Sequence, residues 1–398
     1  MFILLVNRAL LLISFFLFLI SKFSFIFYNL KSSRLYFIDA VRAFAILMML
    51  QGHFIDTLLA VEFRDPSNVA FRIWQYFRGI TAPTFFTISG LIFTYLLMKA
   101  RAKEDVEERI KKGVVRGFML IGIGYLLRIP IFRWFTGKFG TYFMVIDVLQ
   151  CIGLSLLLIV LLYKLVRQNH RTFSILMIFI GTLIFALEPL YRTYSATNIP
   201  LFFANYITKA NGSIFTIIPW FGYMAYGAFI AFLFQEYLTH PKFRNSIIVG
   251  FLAIGLFLVN GSTALLHYIF KFTQVQLIDD IANFNYLFIR LGNVLVIFGF
   301  FYALERYLKH PIILKIGQKT LSIYVIHFIV LYGSFTGWGL NRILSKKLDP
   351  TQAVFGALIF LVLVSLMAVY RIKANTYVYA KLRTAAHKIS LLISKRGI

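Results

Sequence analysis

Ten apolar stretches, each long enough to cross a membrane, follow one another between residues 38 and 371. About 20 helical residues cover the roughly 30 Å hydrocarbon core of a bilayer. In that solvent every backbone polar group must be satisfied internally, so runs of this length fold as helices. The stretches lie at 38–60, 79–98, 114–132, 143–164, 172–190, 214–236, 246–268, 286–304, 319–338 and 352–371, and an eleventh, near 2–29, precedes them. The expected fold class is all-α: a polytopic integral membrane protein with a ten-helix core and an extra N-terminal helix. Residues 1–30 would be that extra span or a signal-anchor, 31–371 a single transmembrane domain, and 372–398 a basic cytoplasmic tail.

Composition agrees. The 398 residues are 60% hydrophobic and only 14% charged, where a soluble domain carries about 25%. The formal net charge of +26 is spread over short loops between apolar runs, which argues for membrane topology and against nucleic acid as a partner. The densest cluster, 99–116, also holds Glu104, Asp105, Glu107 and Glu108 and reads as a solvated cytoplasmic loop. The Lys/Arg bias places residue 37 in the cytoplasm, with the core starting and ending there. The first stretch, interrupted by Arg8 and Lys22, fits a retained helix; a signal peptide and an interfacial helix are the alternatives. One cysteine, Cys151, excludes an internal disulfide and a cysteine-rich metal site, and the seven histidines form no HExxH pair, so no metal is expected.

The first core stretch carries a polar stripe. At about 100° per residue, Asp39, Arg42, His53 and Asp56 share roughly a 100° arc, while Gln51 points the opposite way. A charged stripe in lipid is costly and belongs against a protein interior or a water-filled cavity. Its histidine can exchange protons near neutral pH. His53 stands about 21 Å along the helix from Asp39 at 1.5 Å per residue. Asp39 and Arg42 then lie at the cytoplasmic entrance, and His53 and Asp56 in the outer half. A cytosolic donor with a phosphate-rich head and a long thin reactive arm fits this layout, and acyl-CoA is such a molecule. The plainer alternative is a structural Asp39–Arg42 pair and a satisfied buried histidine.

Other polar groups fall inside apolar stretches. Asp147 and Gln150, three apart in the fourth core helix, should reach the depth of His53. They could orient its imidazole or hold an acceptor hydroxyl or amine, or serve as helix-packing hydrogen bonds. Thr320, Tyr324 and His327 share one face of the ninth helix, as a donor channel or a packing face. Arg290 and Asn293 near the outer end of the eighth could meet an anionic or sugar acceptor, or pair with Asp279 or Asp280. The outer loop 61–78 mixes Arg64, Arg72 and Arg78 with Trp74 and Tyr76, a set that suits carbohydrate or phosphate and also ordinary interfacial anchoring. The loop 191–213 is long and polar, as recognition loops are.

Five segments carry a resemblance. RLYFIDAVRAFAILMMLQGHF resembles the start of the transmembrane acyltransferase superfamily, where an arginine–aspartate–arginine pattern precedes a helix ending in histidine. TAPTFFTISGLIF, MVIDVLQCIGLS and IPWFGYMAYGAFIAF resemble segments of its heparan-α-glucosaminide N-acetyltransferase-like branch. KIGQKTLSIYVIHF is similar to a closing segment of the wider group, which includes the integral membrane enzymes that O-acylate envelope glycans. The matches keep their order from residue 34 to about 330. Two positions depart from the pattern: Ala43 follows Arg42 where the family usually has glycine, and the loop 61–78 lacks the histidine of the enzyme that names the branch. By position His53 matches the helix-end histidine of the bacterial-type enzymes.

The resemblance implies a ten-helix acyltransferase that moves an acyl group, often acetyl, from cytosolic acyl-CoA to a hydroxyl or amine of an extracytoplasmic saccharide or glycan. On that analogy Arg34, Asp39 and Arg42, with Tyr324 and His327, serve the donor. His53 is the base or acyl relay, with Asp56 or Asp147 fixing its tautomer. Gln150, Arg78, Arg290 and Asn293 face the acceptor. The expected setting is multi-pass in a bacterial inner membrane, among lipids, with a homodimer as a further expectation. A transporter or flippase of an envelope intermediate, or a non-catalytic assembly factor, would carry the same intramembrane charges.

Overall fold

The computed structural model describes residues 35–370 except 102–104, 136, 138–139 and 197. The first apolar stretch, Arg34 and the basic tail lie outside the described residues. Those described are helical and loop segments without a strand; the one isolated bridge joins Leu59 to Leu348.

The principal helices are α1 Tyr36–Leu58, α2 Val69–Arg101, α3 Val106–Arg128, α4 Val148–Leu165, α5 His170–Ala186, α6 Ile217–Tyr237, α7 Phe243–Asn260, α8 Ser262–Thr273, α9 Tyr286–Ala303, α10 Pro311–Gln318, α11 Thr320–Tyr332 and α12 Pro350–Tyr370. Among them seven are long and apolar enough to cross a membrane, and the bent pair α10–α11 makes an eighth. α3 and α5 occupy the remaining two expected stretches. α3 opens with the charges Glu107, Glu108, Lys111 and Lys112, and α5 has 17 residues. The protein is thus all-α and multi-pass.

Three elements depart from the expected bounds. α2 begins at Val69, ten residues before its apolar stretch, because the segment around Arg72, Trp74 and Tyr76 continues the same helix. The stretch 246–268 is divided at Gly261 into α7 and α8, where the Ser262 hydroxyl turns back to the Leu258 carbonyl at 2.5 Å. The ninth stretch starts at a bend and its helix ends early, at Tyr332: α10, just before the stretch, meets α11 at 69°.

Close helix contacts use small residues, as expected where lipid supplies no hydrophobic drive between helices. Gly90 and Gly227 bring the backbones of α2 and α6 together, against Met224 and Thr87. Within α2, Pro83 removes one helix N–H, and the Thr87 hydroxyl donates to the Pro83 carbonyl at 2.8 Å. Gly317 of α10 lies on the Asp39 carbonyl, so any side chain there would push α10 off α1. That contact and the bend after it set the start of α11 beside Arg42. Outward faces of α7 and α12 expose Val249, Ile254, Phe355, Leu358 and Ile359, a lipid-facing composition.

Candidate active site

α1 and α11 are joined at both ends of the polar stripe. At one end the Arg42 guanidinium donates to Thr320 Oγ1 at 3.0 Å and pairs with Asp39 at 3.6 Å. At the other the Tyr332 hydroxyl lies 2.9 Å from His53 Nδ1. Eleven positions on α1 and twelve on α11 separate the two joints, roughly 16–18 Å of helix rise.

His327 sits between the joints on α11. Its ring stacks on His53 with centroids 5.3 Å apart and meets Tyr324 edge-on at 4.9 Å. It is fully buried, and neither ring nitrogen has a well-aligned hydrogen-bond partner among the described residues. The Ile323 and Tyr324 backbones of its own helix lie within reach of the ring.

Asp147 organises the wall beside the histidines. It is the N-cap of α4: its carboxylate accepts from Val148 N at 2.8 Å, and its own N–H donates to Gln150 Oε1 at 3.3 Å, closing a capping box. The same carboxylate accepts from Arg128 Nη2 at 2.7 Å in a buried ion pair and interacts with Tyr324. It also lies within electrostatic reach of both histidines. Arg128, at the end of α3, is flanked by the Tyr142 and Phe328 rings at 5.0 and 5.8 Å.

The end of α1 is held by arginines. Asp56 pairs with Arg78, whose side chain crosses Gly52. Arg64 donates to the Asp56 carbonyl at 2.6 Å and the Leu59 carbonyl at 2.8 Å, satisfying the last turn. Gln51 faces away from the stripe and accepts from Trp74 at 2.8 Å. Arg290 lies against Gly79 and over the Tyr286 ring at 5.1 Å, and Asn293 accepts from the Tyr76 hydroxyl at 2.6 Å. Lys209, in the loop before α6, is within electrostatic reach of Arg290, and burial holds its ammonium below the ordinary lysine range.

At the Arg42 end, Arg116 of α3 comes within electrostatic reach of both Arg42 and Arg109. Seven positions apart, Arg109 and Arg116 share one helix face. A cavity of about 340 Å³ lined by Arg244, Arg306 and Lys309 opens at the same end, where Glu305 accepts from the Phe37 amide at 3.1 Å, and not beside the histidines.

The structure therefore brings His53, His327, Tyr324, Asp147 and Gln150 into one centre, with Asp39 and Arg42 at its far end. The partner of the His53 ring is Tyr332, while Asp56 and Asp147, expected to hold it, each face an arginine. Arg290 stacks on Tyr286, and the nearby Asp279 and Asp280 bond to Asn283 and Gln276. Sequence reasoning passed over Tyr332, Arg128, Arg109 and Arg116. Arg109 and Arg116 belong to a cluster that reads as a solvated loop, and both stand on α3, which begins at Val106. Arg128 was legible only as a charge inside an apolar stretch.

A helical bundle that encloses a histidine centre and runs from it to an arginine cluster is that of a multi-pass membrane protein, and the centre is its candidate active site. Residues 34–272 match the heparan-alpha-glucosaminide N-acetyltransferase catalytic family, and the chain belongs to it. No curated protein matches the chain. Membership makes it an acetyltransferase-type membrane enzyme. The match ends before α9, so α11 with His327 and Tyr332 completes the centre from outside the matched region.

Proposed function

We propose that this protein transfers an acyl group, acetyl by family, from acyl-CoA in the cytoplasm to a hydroxyl or amine of a saccharide on the far side of a bacterial inner membrane. The observation that carries the reading is the double joint between α1 and α11. It sets an arginine cluster suited to phosphates at one end of a polar path and a histidine at the other.

Arg42, with Arg109 and Arg116, would hold the donor phosphates by charge-assisted hydrogen bonds. The thioester arm would run along α11 past Tyr324 and His327 toward His53. The acceptor would enter from the side of Arg78, Arg290 and Asn293. In the transfer the acceptor oxygen or nitrogen bonds to the acyl carbon and passes its proton to His53, and the carbon–sulfur bond breaks. His53 then returns the proton to the departing CoA sulfur, which leaves as the thiol. Tyr332 keeps the His53 ring in one orientation throughout.

Proteoliposomes test the sidedness. With labelled acetyl-CoA outside and glucosamine sealed inside, label should accumulate on internal glucosamine in vesicles whose Arg42 end faces out. Equal labelling of external glucosamine would contradict the reading.

A further inference from the structure

The wall around Asp147 holds more hydrogen-bond donors than acceptors. Arg128 gives Nη2 to Asp147, but its Nε and Nη1 have no acceptor among the described residues, although the side chain is only 6% exposed. Gln150 is fully buried; its Oε1 accepts from the Asp147 amide, and its Nε2 has no acceptor among the described residues. The two groups are neighbours. Gln150 packs into the space over Gly124, one helical turn before Arg128 on α3, and both contact Asp147. Buried donors are normally paired, and a guanidinium left with two bare N–H groups in a dry site is expensive. The Tyr142 and Phe328 rings offset part of that expense but accept no hydrogen bond along the guanidinium plane.

We propose that Arg128 and Gln150 form the oxyanion site of this centre, receiving the acyl carbonyl oxygen as it gains negative charge. The proposal rests on the acyl-transfer reading above. The complement of spare buried N–H donors on two neighbouring groups, one of them cationic, is an oxygen that turns anionic during reaction, taking one N–H from each. Asp147 neutralises the resting guanidinium and fixes its plane; Gly124 leaves room for the amide. When the acceptor adds to the acyl carbon, the carbonyl electron pair moves to oxygen, Arg128 and Gln150 donate to it, and neither loses a proton. The pair returns to carbon as the C–S bond breaks. Donors fixed before the charge develops act without reorganisation, and one such donor is worth about 10²–10³ in rate.

The test uses Arg128→Lys, which keeps a cation for Asp147 but removes the spare fork, and Gln150→Met, which keeps the volume and removes the amide. Purified protein in nanodiscs is given acetyl-CoA carrying ¹³C at the carbonyl. Infrared difference spectra should show that carbonyl band lowered in the wild type and returned toward its free position in both variants, with acetyl-CoA affinity little changed. With glucosamine as acceptor, kcat should fall about 10²–10³-fold in Arg128→Lys while both KM values hold. An unshifted band in the wild type, or variants with unchanged band and kcat, would overturn the oxyanion site. So would a change confined to the glucosamine KM, which would make Arg128 a binder of the acceptor. Wild-type protein that binds no acetyl-CoA contradicts the acyl-transfer reading, and the oxyanion site with it.

Discussion

The Tyr332 hydroxyl sits 2.9 Å from Nδ1 of His53, and these residues lie on helices that the chain separates by 279 positions. That hydrogen bond leaves the opposite ring nitrogen of His53 as the one that can face an acceptor. Removing the hydroxyl in Tyr332→Phe should keep the ring contact and release the imidazole. The expected result is a kcat lowered about 10-fold with KM little changed, because general-base catalysis as a whole is worth about 10²–10⁴. Steady-state kinetics with varied acetyl-CoA checks it.

Arg42, Arg109 and Arg116 should act on the donor alone. Arg42→Ala is expected to raise the acetyl-CoA KM about tenfold or more, the loss of one charge-assisted contact of about 1.5–3 kcal/mol. The acceptor KM should stay put. Titration with CoA against dephospho-CoA should show a smaller affinity gap in Arg109→Ala or Arg116→Ala if those residues meet phosphate.

Gly317 fixes where α11 begins. Gly317→Val would drive its side chain into the Asp39 carbonyl. Overpacking of this kind costs about 1–3 kcal/mol. Thermal unfolding in detergent should show a lower midpoint, and the acetyl-CoA KM should rise because Thr320 and Arg42 separate.

Asp147 should be intolerant. Asp147→Asn leaves the Arg128 charge buried without its partner, a loss of about 3–5 kcal/mol. Folded yield and thermal midpoint should fall well below those of Arg128→Lys, in which the ion pair survives.

Much of the architecture was legible because lipid imposes one rule. Each of the ten core stretches falls on a helix or a helix pair among the described residues, and the stripe of Asp39, Arg42 and His53 does face the bundle interior. The breaks were not legible. Gly261 falls within one expected stretch and Lys319 opens another, and the packing of Gly317 on α1 gives the second bend a reason. The centre was half legible. His53, His327, Asp147 and Gln150 stood out as polar groups inside apolar stretches. Tyr332 did not, because about 120° of helix separates it from Thr320 and a tyrosine near a helix end reads as an interfacial anchor. Asp147 was placed inside a helix and is its N-cap, which is why it can serve the helix, Arg128 and Gln150 together.

The central claim is that His53 moves the acceptor proton in an acyl transfer. The direct measurement is CoA release and glucosamine acetylation by nanodisc-embedded protein supplied with labelled acetyl-CoA, wild type against His53→Ala. The account predicts turnover in the wild type and a loss of about 10²–10⁴-fold in kcat for His53→Ala, with acetyl-CoA still bound. Turnover by His53→Ala equal to the wild type would contradict it.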